Sequence, residues 1–421
     1  MLDRCIDRQR SAPRNPAETS VFDSVLREDP VPTFSAIDPL PKSTEPPPSA
    51  GAGNSAIRLA PSSWAESHAS TECTLHQLAP YIGKLKSGIA ADLVCEFSNE
   101  GDLVVDPFCG SGTVPLSARL NGRQAFASDA SRYALVLTKG KLSAPKTLAT
   151  ARRALEQAKA AVGSEPSPDL RRVPPWVRAF FHPDTLRDTI RWANVLRARR
   201  DFFSLSCLLG ILHHQRPGFL SFPSSHLVPY LRTRKFPRDE FPEMYSAREV
   251  YSRLAAKVDR AYRRVEFPSV GLKATVRNSF IGRSNWPEHV DSIITSPPYM
   301  NALDYARDNR LRLWFLGQDG QKSTDTSLSS MQGFLRASTS LAKRAQVHLS
   351  SGGHCVIVVG EKTTRKGERY PSTLIREIFE RYAPSLQLTD LIRDRIPDIR
   401  RARRDQRGVR DENVLVFRRN S

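Results

Sequence analysis

Asp106-Pro-Phe-Cys-Gly-Ser-Gly-Thr113 follows the apolar run Leu103-Val-Val105 and precedes Val114–Leu120, a stretch with helical character. Strand, glycine turn and helix in that order open a β-α-β unit, because glycine accepts the backbone angles that so tight a passage needs. Asn121-Gly122 stops the helix, Gln124–Ser128 reads as the second strand, and Asp129 stands just past its end. A second motif lies far downstream, also after an apolar run: Ile293-Ile294 leads into Thr295-Ser-Pro-Pro-Tyr299.

Around these two landmarks the chain divides into four parts. Residues 1–60 are rich in Pro, Ser, Ala and charge of both signs, with no sustained period, and read as a disordered tail. Residues 61–145 form the half that carries the glycine loop. There Ile82, Leu85, Ile89, Leu93 and Phe97 recur at spacings of three and four, which predicts a helix over 81–97. Residues 146–273 have helical patterns near 147–162, 185–200, 202–213 and 246–264, with roughly two basic residues for each acidic one. They read as a mainly helical insertion. From 274 to 421 the alternation returns, with strands over 290–295, 354–359, 386–396 and 414–418 and helices over 331–349 and 372–382. No helix separates the last two strands, which predicts an antiparallel ending.

The chain has 421 residues, 39% of them hydrophobic, so it can bury a core. A net charge of +19 points to a polyanion partner. The six cysteines are scattered without C-x-x-C pairs or histidines at ligand spacing, which argues against zinc and against a disulfide framework. His213, His214 and His226 have no carboxylate or cysteine at ligand spacing and read as loop or core histidines rather than metal ligands. No apolar run reaches the roughly 18 residues of a membrane span, and no apolar signal segment is visible. The expectation is a cytoplasmic protein with neither metal nor membrane partner.

Three ligand classes use a glycine loop between strand and helix. A phosphate-binding P-loop needs Gly-Lys-Ser/Thr, but Gly112 is followed directly by Thr113. A dinucleotide loop needs a third glycine, and here Pro115 occupies that region. The remaining class is a nucleoside without phosphate, S-adenosylmethionine. Asp129 would accept bonds from its ribose hydroxyls, and Asp106 would hold its ammonium. Cys109 then reads as a loop residue and not as a nucleophile.

Ser-Pro-Pro-Tyr suits an amine on a planar base. Such a nitrogen has its lone pair delocalised into the ring, and acceptors aimed at its two hydrogens localise the pair for in-line attack. The Ser296 hydroxyl and the Pro297 carbonyl supply two acceptors. Pro297 and Pro298 stiffen the loop, and Tyr299 offers a flat face to a base taken out of its helix.

The two motifs resemble those of the DNA amino-methyltransferases, which methylate cytosine at N4 or adenine at N6, and the resemblance covers most of 72–145 and 274–421. It implies an α/β fold: a Rossmann-like S-adenosylmethionine-dependent methyltransferase sheet, permuted, with the helical insertion as target-recognition region. It implies that Asp106, Phe108, Gly110, Gly112 and Asp129 contact the cofactor, with Cys109 and Thr113 in the same loop. Ser296, Pro297, Pro298 and Tyr299 would form the catalytic pocket. Tyr81-Ile-Gly-Lys84 through Ile89 looks like the family's additional cofactor motif, which brings in Tyr81 and Lys84. Asn278 stands where the family often has Gly-Asp, and an amide there could still bond the adenine. The segments Arg395–Arg400 and Glu412–Phe417 also look like the tail of such methylases. Serine before Pro-Pro-Tyr is the cytosine-N4 pattern, although some adenine enzymes carry it too. Readings that stay open are an adenine-N6 enzyme, an RNA base methyltransferase and a non-catalytic nucleic-acid binder.

The implied partner is double-stranded DNA with a flipped target base, and a cognate restriction endonuclease would complete a restriction-modification pair. Candidate phosphate contacts are Arg232, Arg234, Lys235 and Arg238 in the insertion and Arg400, Arg401, Arg403 and Arg404 near the end of the sequence.

Overall fold

The run Leu103–Asp106 forms strand β2, hydrogen-bonded in parallel on both sides, to β3 (Gln124–Asp129) and to β5 (Val290–Thr295). A strand covered on both faces reads as continuously apolar, and Val104, Val105 and Asp106 are all buried. The computed structural model describes residues 56–66, 70–265, 267, 272–299, 304–318, 330–361, 370–395 and 411–420. Of the tail expected over 1–60, residues 1–55 lie outside that set. Residues 56–59 are a strand, β1 (Ala56–Leu59), which corrects the tail's upper boundary.

Among the described residues eight strands make one sheet in the order β1-β7-β8-β6-β5-β2-β3-β4. From β2 the chain steps outward to β3 and β4 (Ala274–Asn278), returns to the other side of β2 as β5, and continues to β6 (Leu349–Glu361). β7 (Leu386–Arg395) and β8 (Asp411–Arg419) follow. β8 inserts between β6 and β7, antiparallel to both, as expected of the last pair. The sheet is Rossmann-like. Residues 81–89 precede the glycine loop in the chain, the order that the permuted arrangement expects, and only the inserted β8 breaks the outward sequence β5, β6, β7.

Successive side chains alternate between two cores. Val104, Ile294, Val356 and Val416 face one side, with α2 (Ser87–Phe97) and α3 (Thr113–Leu120). Val105, Ile293, Ile357 and Phe417 face the other, against α11 (Met331–His348) and α12 (Pro371–Tyr382). The expected helix over 81–97 exists only from Ser87. Gly83, at φ +75°, turns the backbone before it, so 81–86 are a loop.

After β3 come α4 (Arg132–Leu142), α5 (Leu148–Ser164), α6 (Pro175–Arg178), α7 (Pro183–Ala198), α8 (Phe202–Gly210) and α9 (Val250–Ala261). Their apolar faces share one buried cluster with α4, including Tyr133, Leu155, Leu196, Phe203 and Leu254. A further helix, α10 (Tyr305–Phe315), joins this cluster and was not foreseen. Its buried residues include Asp308, Asn309 and Arg312, so no apolar stripe marks it in the sequence. Among the described residues no helix is long and apolar enough to cross a membrane, and no group of three or more His, Cys, Asp or Glu could hold a metal ion.

Candidate active site

β2 and β5 are adjacent, and β3 lies on the other side of β2, so the order of strands reverses at β2. The carboxyl ends of such strands are where an open α/β sheet leaves a crevice. A cleft opens there, bounded by the glycine loop, by Tyr81 and Lys84, by Ser279–Ile281 and by Ser296 and Pro298.

The loop is built by its glycines. Gly110 (φ +49°) and Gly112 (φ +74°) take left-handed backbone that side chains rarely adopt. A Cβ on Gly112 would lie 2.9 Å from the Cα of Thr138, so this glycine lets α4 approach the loop. A Cβ on Gly110 would meet the ring of Tyr81 at 3.3 Å. Cys109 N donates to Ser128 O at 3.0 Å and Gly112 N to Cys109 O at 2.7 Å, which closes the turn. The Thr113 and Ser111 hydroxyls share a bond of 3.0 Å at the start of α3.

Two carboxylates face this cleft. Asp129 accepts from Gly110 N at 2.9 Å and from Ser131 N at 2.8 Å. Asp106 accepts from Phe108 N at 3.2 Å and from the Thr295 hydroxyl at 2.6 Å. Each carboxylate has further lone pairs for a ligand. Burial pushes Asp106 up to about 7, aided by the nearby charge of Asp129 and opposed by the bonds from Thr295 and Phe108. Burial likewise pushes Asp129 up to about 6, against three backbone bonds. Among the described residues neither is ion-paired with a lysine or arginine. A ligand carrying positive charge would stabilise both in ionised form. S-adenosylmethionine, with an ammonium and a sulfonium, fits this donor set. The Cys109 thiol is pushed well up by burial and by both carboxylates, so it stays protonated and is a poor nucleophile.

Tyr81 stacks on Tyr133 at 5.8 Å and lies 6.2 Å from Tyr305, forming an aromatic wall. The ammonium of Lys84 donates to His76 O at 3.2 Å. Ser296 and Pro298 line the cleft. Tyr299 is buried beside Ile82, Leu227, Val228 and Tyr305, and its hydroxyl donates to the Glu412 carboxylate at 2.6 Å.

The structure thus brings together Tyr81, Lys84, Asp106, Phe108, Cys109, Gly110, Thr113, Asp129, Ser296 and Pro298 around one cleft. Gly112, Asn278, Pro297 and Tyr299 are not on its lining. Asn278 ends β4 opposite Asp129, and it is the next three residues that reach the cleft. Arg234, Lys235 and Arg238 are exposed, and Arg232 is half-buried. Arg232 donates to Gln215 at 2.7 Å, and the guanidinium of Arg238 lies 5.0 Å from the ring centre of Tyr245. Arg400, Arg401, Arg403 and Arg404 lie outside the described residues.

The sequence reading gave no role to Thr295, Tyr305, Glu412, Leu227 or Val228. Thr295 sits inside the quoted motif, and its position at the end of β5 was the available signal. Glu412 opens the quoted Glu412–Phe417 segment, but only the pairing of β8 with β6 brings it to Tyr299.

A family model described as DNA methylase matches residues 80–139. No curated protein matches the chain. Solved structures similar to it include TrmN from Thermus thermophilus, at 12% identity and a TM-score of 0.33, covering 83% of this chain and 53% of that one. Another is a TehB-like SAM-dependent methyltransferase from Corynebacterium glutamicum, at 10% identity and 0.29, covering 79% and 87%. A third is the rRNA methyltransferase AviRa from Streptomyces viridochromogenes, at 12% and 0.30, covering 82% and 89%. The chain spans about half the length of TrmN. Likenesses this distant decide nothing about the site. The match over residues 80–139 covers Tyr81, the glycine loop and Asp129, so this stretch of the chain is similar to the DNA methylases, and S-adenosylmethionine is the cofactor that the loop and its two carboxylates fit.

Proposed function

We propose that this protein transfers a methyl group from S-adenosylmethionine to the exocyclic N4 amine of a cytosine in double-stranded DNA. The observation that carries the reading is the 2.6 Å bond between Thr295 and Asp106. It ties the end of the amine-pocket strand to the end of the glycine-loop strand, so Ser296 opens onto the same cleft as Asp106 and Asp129.

The cofactor, when bound, supplies an electrophilic methyl on a cationic sulfur. The protein's own residues do the rest. Asp106 and Asp129 hold the ammonium and the ribose. Ser296 and the Pro297 carbonyl accept the two amine hydrogens, so the lone pair points along the attack line. Tyr299 backs the pocket behind Ser296, and the base must leave the duplex to reach the cleft. Arg234 and Lys235 supply phosphate contacts. Serine ahead of Pro-Pro-Tyr favours cytosine N4 over adenine N6.

The test is methylation of unmodified DNA with labelled cofactor, followed by digestion to nucleosides and mass spectrometry, with Ser296→Ala alongside. N4-methylcytosine that disappears in the variant supports the reading. N6-methyladenine would reverse the base. Methylation of RNA alone, or cofactor binding without turnover on either nucleic acid, would overturn it.

A further inference from the structure

The reaction leaves a proton to dispose of, since the nitrogen carries its original hydrogens and a new methyl group at the moment of transfer. The Tyr299 hydroxyl has one hydrogen, and at 2.6 Å it goes to Oε1 of Glu412. The Ser296 side chain lies beside the Tyr299 hydroxyl. With the phenol hydrogen already committed to Glu412, Tyr299 can only accept from Ser296, because a hydroxyl has only one hydrogen to give. A serine that donates there keeps both of its lone pairs for the amine. The orientation that makes Ser296 an acceptor for the amine is set by Tyr299, and the orientation of Tyr299 is set by Glu412.

The sheet explains why a residue from β8 is there. β8 runs antiparallel to β6, so its first residues lie at the edge where β2 and β5 end. Thr295 is level with Ile357 of β6, and Glu412 is level with Gly360, three residues further out. Glu412 therefore stands beyond the end of β5, where Pro-Pro-Tyr continues. It is half-buried, with Asp394 opposite on β7 and Asp411 preceding it. Tyr299 itself is almost fully enclosed.

We infer that Ser296, Tyr299 and Glu412 form a proton relay that carries the displaced amine proton from the pocket to the surface. This rests on the function proposed above. The nitrogen lone pair forms the N–C bond while the S–C bond breaks, its electron pair returning to sulfur. The resulting ammonium loses a hydrogen to Ser296 Oγ, and its N–H electrons stay on nitrogen. Ser296 passes its own hydrogen to Tyr299 Oη, and Tyr299 passes its hydrogen to Glu412 Oε1. The net result is a methylated neutral amine and a protonated Glu412, which solvent deprotonates. Tyr299 never has to exist as an anion. Burial and the adjacent carboxylate push its phenol well above the ordinary tyrosine range.

Two measurements test the relay. The first needs no turnover: 3-fluorotyrosine is placed at position 299 of the full chain and its ¹⁹F shift is followed against pH, in the parent and in Glu412→Gln. The relay expects the phenol to ionise at lower pH in the variant; identical curves would overturn the contact. The second is single-turnover methyl transfer by the parent, Glu412→Gln, Tyr299→Phe and the double variant. General-base assistance amounts to about 10²- to 10⁴-fold, so each single variant should lose about tenfold or more in rate, with cofactor and DNA affinities unchanged. The double variant should be no slower than Tyr299→Phe, because groups acting as one unit are not additive. Losses that multiply, or a Glu412→Gln rate equal to the parent's, would remove the relay and leave the methyltransferase reading intact. A parent that methylates no DNA would remove that reading first, and the relay with it.

Discussion

Thr295 and Asp106, the last residues of two neighbouring parallel strands, are joined side chain to side chain at 2.6 Å, and both are buried. Through this bond the Ser-Pro-Pro-Tyr loop and the glycine loop share one rigid joint. Thr295→Val keeps the shape and removes the donor. A buried acceptor that loses its partner costs about 1–3 kcal/mol, so the urea midpoint should fall accordingly. Without the bond that favours ionisation, Asp106 should become still harder to ionise, and cofactor affinity near neutral pH should fall with it. Calorimetric titration of the variant reads the second effect. An unchanged midpoint and an unchanged affinity would mean that the joint is idle.

Cofactor binding should depend on pH through the same wall. Asp106 titrates at about 7 and Asp129 at about 6 in the folded protein, against 3.8 for a free side chain. Between those limits the folded state holds more protons than the unfolded one. The stability these two groups contribute is thus fully present below about pH 4 and is lost as pH rises through 6 and 7. A cationic ligand prefers the ionised carboxylates, so its affinity should rise over that window and level off above it. At pH 6 the affinity should be about tenfold below its value at pH 8, since one pKa unit is a factor of ten. Binding below pH 7 should also release protons, which calorimetry in buffers of different ionisation enthalpy detects. A flat affinity from pH 5.5 to 8 would contradict the assignment.

The two loop glycines should respond differently to substitution. Gly112→Ala forces a Cβ against the backbone of Thr138, in left-handed backbone, and should cost about 2 kcal/mol or more of stability. Gly110→Ala meets only the edge of the Tyr81 ring, which can turn aside. It should cost less stability and more cofactor affinity, because the ring it displaces lines the cleft. Denaturation and titration of the two variants side by side give the comparison. The same profile for both would contradict the division of labour.

Within the basic loop, Arg234, Lys235 and Arg238 are all exposed; the Lys235 ammonium lies 5.6 Å from the ring centre of Phe236, whereas the Arg238 guanidinium lies over two rings, Phe222 and Tyr245. Replacing Arg234 and Lys235 with alanine should lower the salt slope of DNA binding by roughly 0.9 for each phosphate no longer neutralised, with little change in stability. Arg238→Ala should cost about 0.5–1 kcal/mol of stability, because the guanidinium no longer covers the two rings. Binding isotherms across a salt series check the first effect and thermal melting the second.

The glycine loop, the sheet strands beside it and the antiparallel ending were legible because each has a local cause. β2 and β5 are covered on both sides and so read as unbroken apolar runs, and the loop's glycines stand where the backbone needs them. What was misread had a non-local cause. Ile82 and Leu85 mimic a helical stripe, but Ile82 is buried against Tyr299 and Leu85 against the core beside α2, from a loop. In α10, Asp308, Asn309 and Arg312 are buried, and Arg312 directs its guanidinium at the carbonyls of Leu209, His226 and Leu227. No periodicity reveals a helix whose core face is polar. Glu412 faces Tyr299 only because β8 enters the sheet reversed, and that register is set by pairing across the sheet.

β1 closes the edge of the sheet by pairing with β7 across more than three hundred residues of chain. In kinetic terms that is the most expensive pairing in the fold, since loop closure must be met before any pairing energy is returned. β1 therefore docks last during folding and leaves first when the protein loosens. Each time it leaves, the row of amides and carbonyls along β7 is bared, and a bared parallel edge is a template for another chain. A four-residue edge strand thus keeps the ten-residue β7 from being the edge that the sheet offers to another chain.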